Sequence, residues 1–175
     1  KEHKSEHYNF HERVDWKVST GSMLLDLATG MVRPSLWRIC GSKNAGKTPQ
    51  TLEIIRNIFN SVPNSKAIWF LAEGRGLSDE NKERCGLKFV YSEDEWDDHT
   101  VFVFETNVFE LFVKTVKELV LNNPSNTKFA FVVDSIDGLM LRSDREKEID
   151  ENNKVAGVPA MSKKMMQSLS LGMFK

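Results

Sequence analysis

Eight residues, Gly41-Ser42-Lys43-Asn44-Ala45-Gly46-Lys47-Thr48, constrain this chain more than any other stretch. They fit the pattern G-x-x-x-x-G-K-[ST] between a short apolar run, Trp37-Arg38-Ile39-Cys40, and a segment of helical spacing from Thr51 to Phe59. A strand, a glycine-rich turn and a helix are the local structures this pattern requires. The two glycines permit backbone angles that other residues avoid, so successive amide N–H groups can surround phosphate oxygens at the positive end of the helix. In such a loop Gly41 to Gly46 cradle the phosphates, Lys47 reaches the β- and γ-phosphates, and the Thr48 hydroxyl holds Mg²⁺. The alternative is a plain glycine turn ahead of a helix. Pro49 has no N–H to give a phosphate, yet proline is tolerated in a first helical turn.

Three further apolar runs, Ala67-Ile68-Trp69-Phe70-Leu71, Val101-Phe102-Val103-Phe104 and Phe129-Ala130-Phe131-Val132-Val133, read with Trp37–Cys40 as strands buried on both faces. Helical spacing separates them at Thr51 to Phe59, Leu77 to Cys85 and Val108 to Leu121. Asn107 with Glu110 forms a predicted N-cap pair for the third helix, and Asn122-Asn123-Pro124 ends it. Alternating strands and helices predict an α/β fold, a mainly parallel sheet with helices on both faces. A length of 175 residues, 40% hydrophobic and 28% charged, suits one soluble domain.

Two strands end in carboxylates on the edge where the glycine loop must lie. Asp134 follows Val132-Val133 and is expected to help hold the Mg²⁺ shell, while Glu73 follows Phe70-Leu71-Ala72 and is placed to activate a water against a γ-phosphoryl group. Each has a plainer reading as a turn or surface carboxylate. The acidic stretch Ser92 to Asp98 reads as a solvated loop.

The opposed charges, 24 Lys+Arg against 25 Asp+Glu, exclude a protein that coats nucleic acid by charge alone, so any such contact must be local. Residues 1–17 form a polar arm. His3, His7 and His11 recur there at helical spacing, either as a solvated or partner-docking face or as a metal site. Cys40 and Cys85 are too few for a disulfide scaffold; Cys40 is expected in the core and the compartment to be reducing, hence cytoplasmic. No apolar stretch is long enough to cross a bilayer.

From about Val18 onward the chain resembles the RecA recombinase family. Val18-Ser19-Thr20-Gly21-Ser22 with Leu24-Leu25-Asp26-Leu27-Ala28 is similar to its approach to the ATPase core, Gly41 to Thr48 to its phosphate loop, Ala72-Glu73 to its catalytic glutamate, and Val132-Val133-Asp134-Ser135 to its second nucleotide motif. The resemblance implies a RecA-like P-loop NTPase core over 18–175, incomplete at its C-terminus. It also implies Mg-dependent, DNA-stimulated ATP hydrolysis, and a homo-oligomer or filament on single-stranded DNA that promotes strand exchange in recombination or repair. The family's first DNA loop corresponds to Arg145 to Val158, with Lys147 and Lys154 as phosphate contacts. Leu77 to Lys82, where bacterial members carry an adenine-stacking tyrosine, has no aromatic residue. The segment 159–174, with Met161, Met165 and Leu169 on one helical face, reads as core. Two other functions fit the same motifs: a RecA-fold helicase-type ATPase, told apart by stimulation with forked duplex, and a degenerate, non-hydrolysing core that docks to a partner.

Overall fold

The run Ala67–Leu71 becomes the centre of an all-parallel sheet. In the computed structural model, which describes residues 16–74 and 77–142, β1 (Ser65–Leu71) lies between β3 (Thr100–Glu105) and β4 (Lys128–Asp134). The short β2 (Lys88–Val90) adds to β3, giving the order β2-β3-β1-β4. Parallel neighbours need crossovers, and the helical segments of the sequence supply them.

Side chains alternate across a strand, so β1 feeds two cores. Ala67, Trp69 and Leu71 pack with Val101 and Val103 of β3 against Leu52, Ile55, Ile58 and Phe59 of α2 (Lys47–Ser61), and Cys85 closes the same cluster from the end of α3 (Asp79–Cys85). Ile68 and Phe70 face the opposite way, toward Phe112 and Val116 of α4 (Phe109–Leu121). Phe70 meets Phe112 and Phe104 edge-on, with ring centroids 4.8 and 5.6 Å apart. Burying a side chain such as Ile68 or Phe70 stabilises the fold by about 1.5–3 kcal/mol. The α/β class, the parallel sheet and the helices on both faces are as the sequence predicts.

Four details differ from that reading. Trp37–Cys40 joins no strand among the described residues: Trp37 and Ile39 are each 37% exposed, and Cys40, expected in the core, is exposed with them. An apolar run supplies side chains for a strand but not a neighbour, and this one forms no ladder. In consequence β4 has, among the described residues, one strand beside it, and it is half-buried at every residue instead of buried on both faces. The third predicted helix lacks the Asn107–Glu110 cap. Val108 is its N-cap, held extended by a parallel bridge to Met140, while Glu110 accepts from the Arg142 N–H. Lastly, β2 was not anticipated, being only three residues long.

A helix also forms where no core-facing periodicity announces one. In α1 (Met23–Thr29), Met23, Leu24 and Leu27 are 77–80% exposed and no residue is buried. Its ends hold it instead: Ser22 caps the first turn, Gly30 adopts the left-handed conformation at the last, and Asp26 accepts from the Ser19 hydroxyl and the Thr20 N–H. A bridge between Val18 and Val32 closes the segment at its base, and Asn57 of α2 donates to the Ser19 carbonyl at 3.0 Å.

Candidate functional site

The glycine loop is shaped by its own backbone. Asn44 and Gly46 take positive φ, 62° and 83°, and the Ala45 N–H donates to Ser42 O at 3.2 Å, which turns the chain before α2. Positive φ at Gly46 suits a residue without Cβ. No side chain caps the helix there, and its first backbone bond runs from Gln50 N–H to Gly46 O. Pro49 is the third residue of α2, within the turn whose N–H groups have no intrahelical acceptor, so it does not interrupt the helix. Gly41 lies close enough to Ala45 that an added Cβ would approach it to 3.3 Å.

Lys47 curls back over this loop. Its ammonium donates to the carbonyls of Gly41 at 3.0 Å and Ser42 at 2.8 Å. Thr48, the next residue, reaches across the fold, and its hydroxyl donates to Asp134 Oδ2 at 3.1 Å although 86 residues separate them. The parallel register explains how. β4 ends at Asp134 opposite Leu71, and the Ala72 N–H donates to Asp134 O at 3.0 Å, so the carboxyl ends of β1 and β4 open onto one crevice beside the N-terminus of α2.

Glu73, two residues past the end of β1, accepts a hydrogen bond from the Ser135 hydroxyl. The Asp134–Ser135 peptide is cis. The chain then makes a 3-10 turn, Ile136–Gly138, which packs on the end of β1 so closely that a Cβ on Gly138 would lie 2.8 Å from Ala72 O and 2.9 Å from Glu73 Cγ. Thus Lys47, Thr48, Glu73 and Asp134, named from sequence, gather at one edge, in two pairs of contacts: Thr48 with Asp134, and Glu73 with Ser135.

A depression of about 330 Å³ lies over the loop, lined by Asn44 to Pro49 and by Asn81 from the first turn of α3. Sequence reasoning missed Asn81 and Gly138 as members of the site and gave Ser135, included in the second nucleotide motif by resemblance, no role of its own. Asn81 is placed by the Ser78 N-cap, which accepts from the Asn81 N–H, a signal visible as Ser-x-x-Asn but not specific to a site.

The oxygen donors of Thr48 and Asp134 are the kind a hard divalent cation takes. Among the described residues no three His, Cys, Asp or Glu side chains cluster to hold a metal ion unaided. The remaining ligands of a Mg²⁺ at this edge would come from water and from a bound phosphate, as is usual for that ion. Lys147, Lys154, the segment 159–174 and the histidines of the arm lie outside the described residues. Among the described residues no helix is long and apolar enough to cross a membrane. A scan against protein-family models finds none that matches the chain, and a search of curated proteins finds no match either.

Proposed function

We propose that this chain is the core of a Mg-dependent ATPase of the RecA kind, acting on single-stranded DNA as a filament in recombination or repair. The observation that carries the nucleotide reading is the Thr48–Asp134 hydrogen bond. It joins the hydroxyl of a glycine-loop motif to the carboxylate of a distant strand end, the pairing a nucleotide-bound Mg²⁺ requires. On this reading Lys47 exchanges its two carbonyl acceptors for phosphate oxygens, a stronger charge-assisted contact. Thr48 and Asp134 would hold Mg²⁺ directly or through water, and the ion would supply neutralisation of phosphate charge. Glu73 orients a water and takes its proton as the water oxygen attacks the γ-phosphorus and the bond to the β-phosphate oxygen breaks, releasing ADP and phosphate. The DNA and filament parts rest on the resemblance described above, with Lys147 and Lys154 as the proposed phosphate contacts.

A second reading, a non-hydrolysing core that docks to a partner, is favoured by one observation: α1 presents Met23, Leu24 and Leu27 to solvent. One calorimetric experiment separates the two. Mg-ATP should bind saturably, and Lys47→Ala should remove a contact of about 1.5–3 kcal/mol, weakening affinity roughly ten- to a hundredfold. Absence of saturable binding of Mg-ATP and Mg-ADP at millimolar concentrations would leave the docking reading standing.

A further inference from the structure

We infer that the turn leaving β4 is the positioning device for Glu73, with Ser135 and Gly138 as its two working residues. This rests on the reading of Glu73 as the residue that activates water. Two independent contacts join the turn to that side chain. The Ser135 hydroxyl donates to Glu73 Oε1 from a position 62 residues away in sequence. Alone, such a bond at an exposed carboxylate would hold the side chain only weakly. The second contact is steric. Gly138 sits against the Ala72 carbonyl and against Glu73 Cγ, where the nearest atoms would be 2.8–2.9 Å from any added Cβ. A hydroxyl in front and a backbone wall behind leave the carboxylate few rotamers.

The turn is itself anchored on both sides. Upstream lies the last rung of β4, where Asp134 O accepts from Ala72 N–H. Downstream, Met140 bridges to Val108, with the Met140 N–H donating to Asn107 O at 2.7 Å and the Phe109 N–H to Met140 O at 2.9 Å. Between them Leu139 is buried in the α4-side core. The turn therefore has no slack of its own, and the Glu73 carboxylate takes its place from it.

The test is steady-state ATP hydrolysis by the full chain with Mg²⁺ and an oligothymidine strand, measured for wild type, Ser135→Ala, Ser135→Thr, Gly138→Ala and Glu73→Gln at one pH. Ser135→Ala should lower kcat about tenfold, the size of one hydrogen bond to a charged group. KM for Mg-ATP should stay within about twofold. Ser135→Thr, which keeps the hydroxyl, should restore kcat. Gly138→Ala should lower kcat with Ser135 still present. The inference is overturned if Ser135→Ala keeps the wild-type kcat, if Ser135→Thr fails to restore it, or if kcat and Mg-ADP affinity fall together, the mark of a structural role. Failure of the underlying reading looks different. Wild type would bind no Mg-ATP, or Glu73→Gln would hydrolyse as fast as wild type, and the inference would fall with it.

Discussion

β1 and β4 run side by side in the same direction, paired over seven residues, and each delivers a carboxylate to the same edge of the sheet. Their surroundings nevertheless differ. β1 is buried at every residue but Lys66, with a strand on each side, whereas β4 is half-buried throughout and, among the described residues, has β1 alone beside it. The residue proposed to do chemistry, Glu73, thus follows the more deeply buried of the two strands, and the one proposed to serve the cation, Asp134, ends the half-buried one. A water-activating group has to be held to a fraction of an ångström, while a ligand that works through water tolerates more.

The largest expected effect tests that contrast in stability. Phe70→Ala in β1 should cost about 3–5 kcal/mol, the range for removing a fully buried aromatic ring. Phe131→Ala in β4, half-buried, should cost about 1–2 kcal/mol. Urea unfolding of both variants measures the pair, and equal losses would erase the distinction between centre and edge.

The next effect concerns the two carboxylates directly. Glu73→Gln should keep ATP affinity within a few-fold and lower turnover roughly a hundredfold or more. Asp134→Asn should show its first deficit in the Mg²⁺ concentration needed for ATP binding. Phosphate release and calorimetry at varied Mg²⁺ would distinguish them, and exchanged phenotypes would reverse the assignment.

The smallest effect lies away from both strands. The Ser19 hydroxyl, followed by the Thr20 N–H, holds the Asp26 carboxyl below its ordinary value of 3.8. A depressed carboxyl pKa gives stability that is fully present above the ordinary value and is lost as pH falls through the lowered one. Acid below about pH 4 should therefore loosen α1 before the sheet responds to this group. Ser19→Ala should raise the Asp26 pKa, as followed by its side-chain carbon resonance. No rise would show that the hydroxyl is not the main cause.

The contrast between centre and edge also marks how far the sequence can be read. Ala67–Leu71, Val101–Phe104 and Phe129–Val133 were legible because a strand in a parallel sheet must be apolar in succession. Trp37–Cys40 carries the same signature without pairing among the described residues, since composition reports what a segment would bury and not whether a neighbour accepts it. α1 escaped notice because its apolar residues face outward, and its stabilising contacts come from Ser19, Thr20, Ser22 and Gly30. At the site, Lys47, Thr48, Glu73 and Asp134 were legible as motif and strand-end residues. The contacts of Ser135 and Gly138 with Glu73 were not, because they span more than sixty residues and arise only from the register of β1 with β4.

The bond between Thr48 and Asp134 has a consequence in time. A ribosome adding about 5–20 residues per second needs roughly 4 to 17 s to advance over the 86 positions that separate the two residues. Throughout that interval the glycine loop exists without its carboxylate partner. Helix α2 can form early from local contacts, but the apolar stripe of Leu52, Ile55 and Phe59 must wait for Trp69 and then for Val101 and Val103 before it is covered. The glycine loop, made before any strand of the sheet, thus waits for β4 to acquire its working shape, and until β3 emerges that exposed stripe is a surface for chaperones to hold.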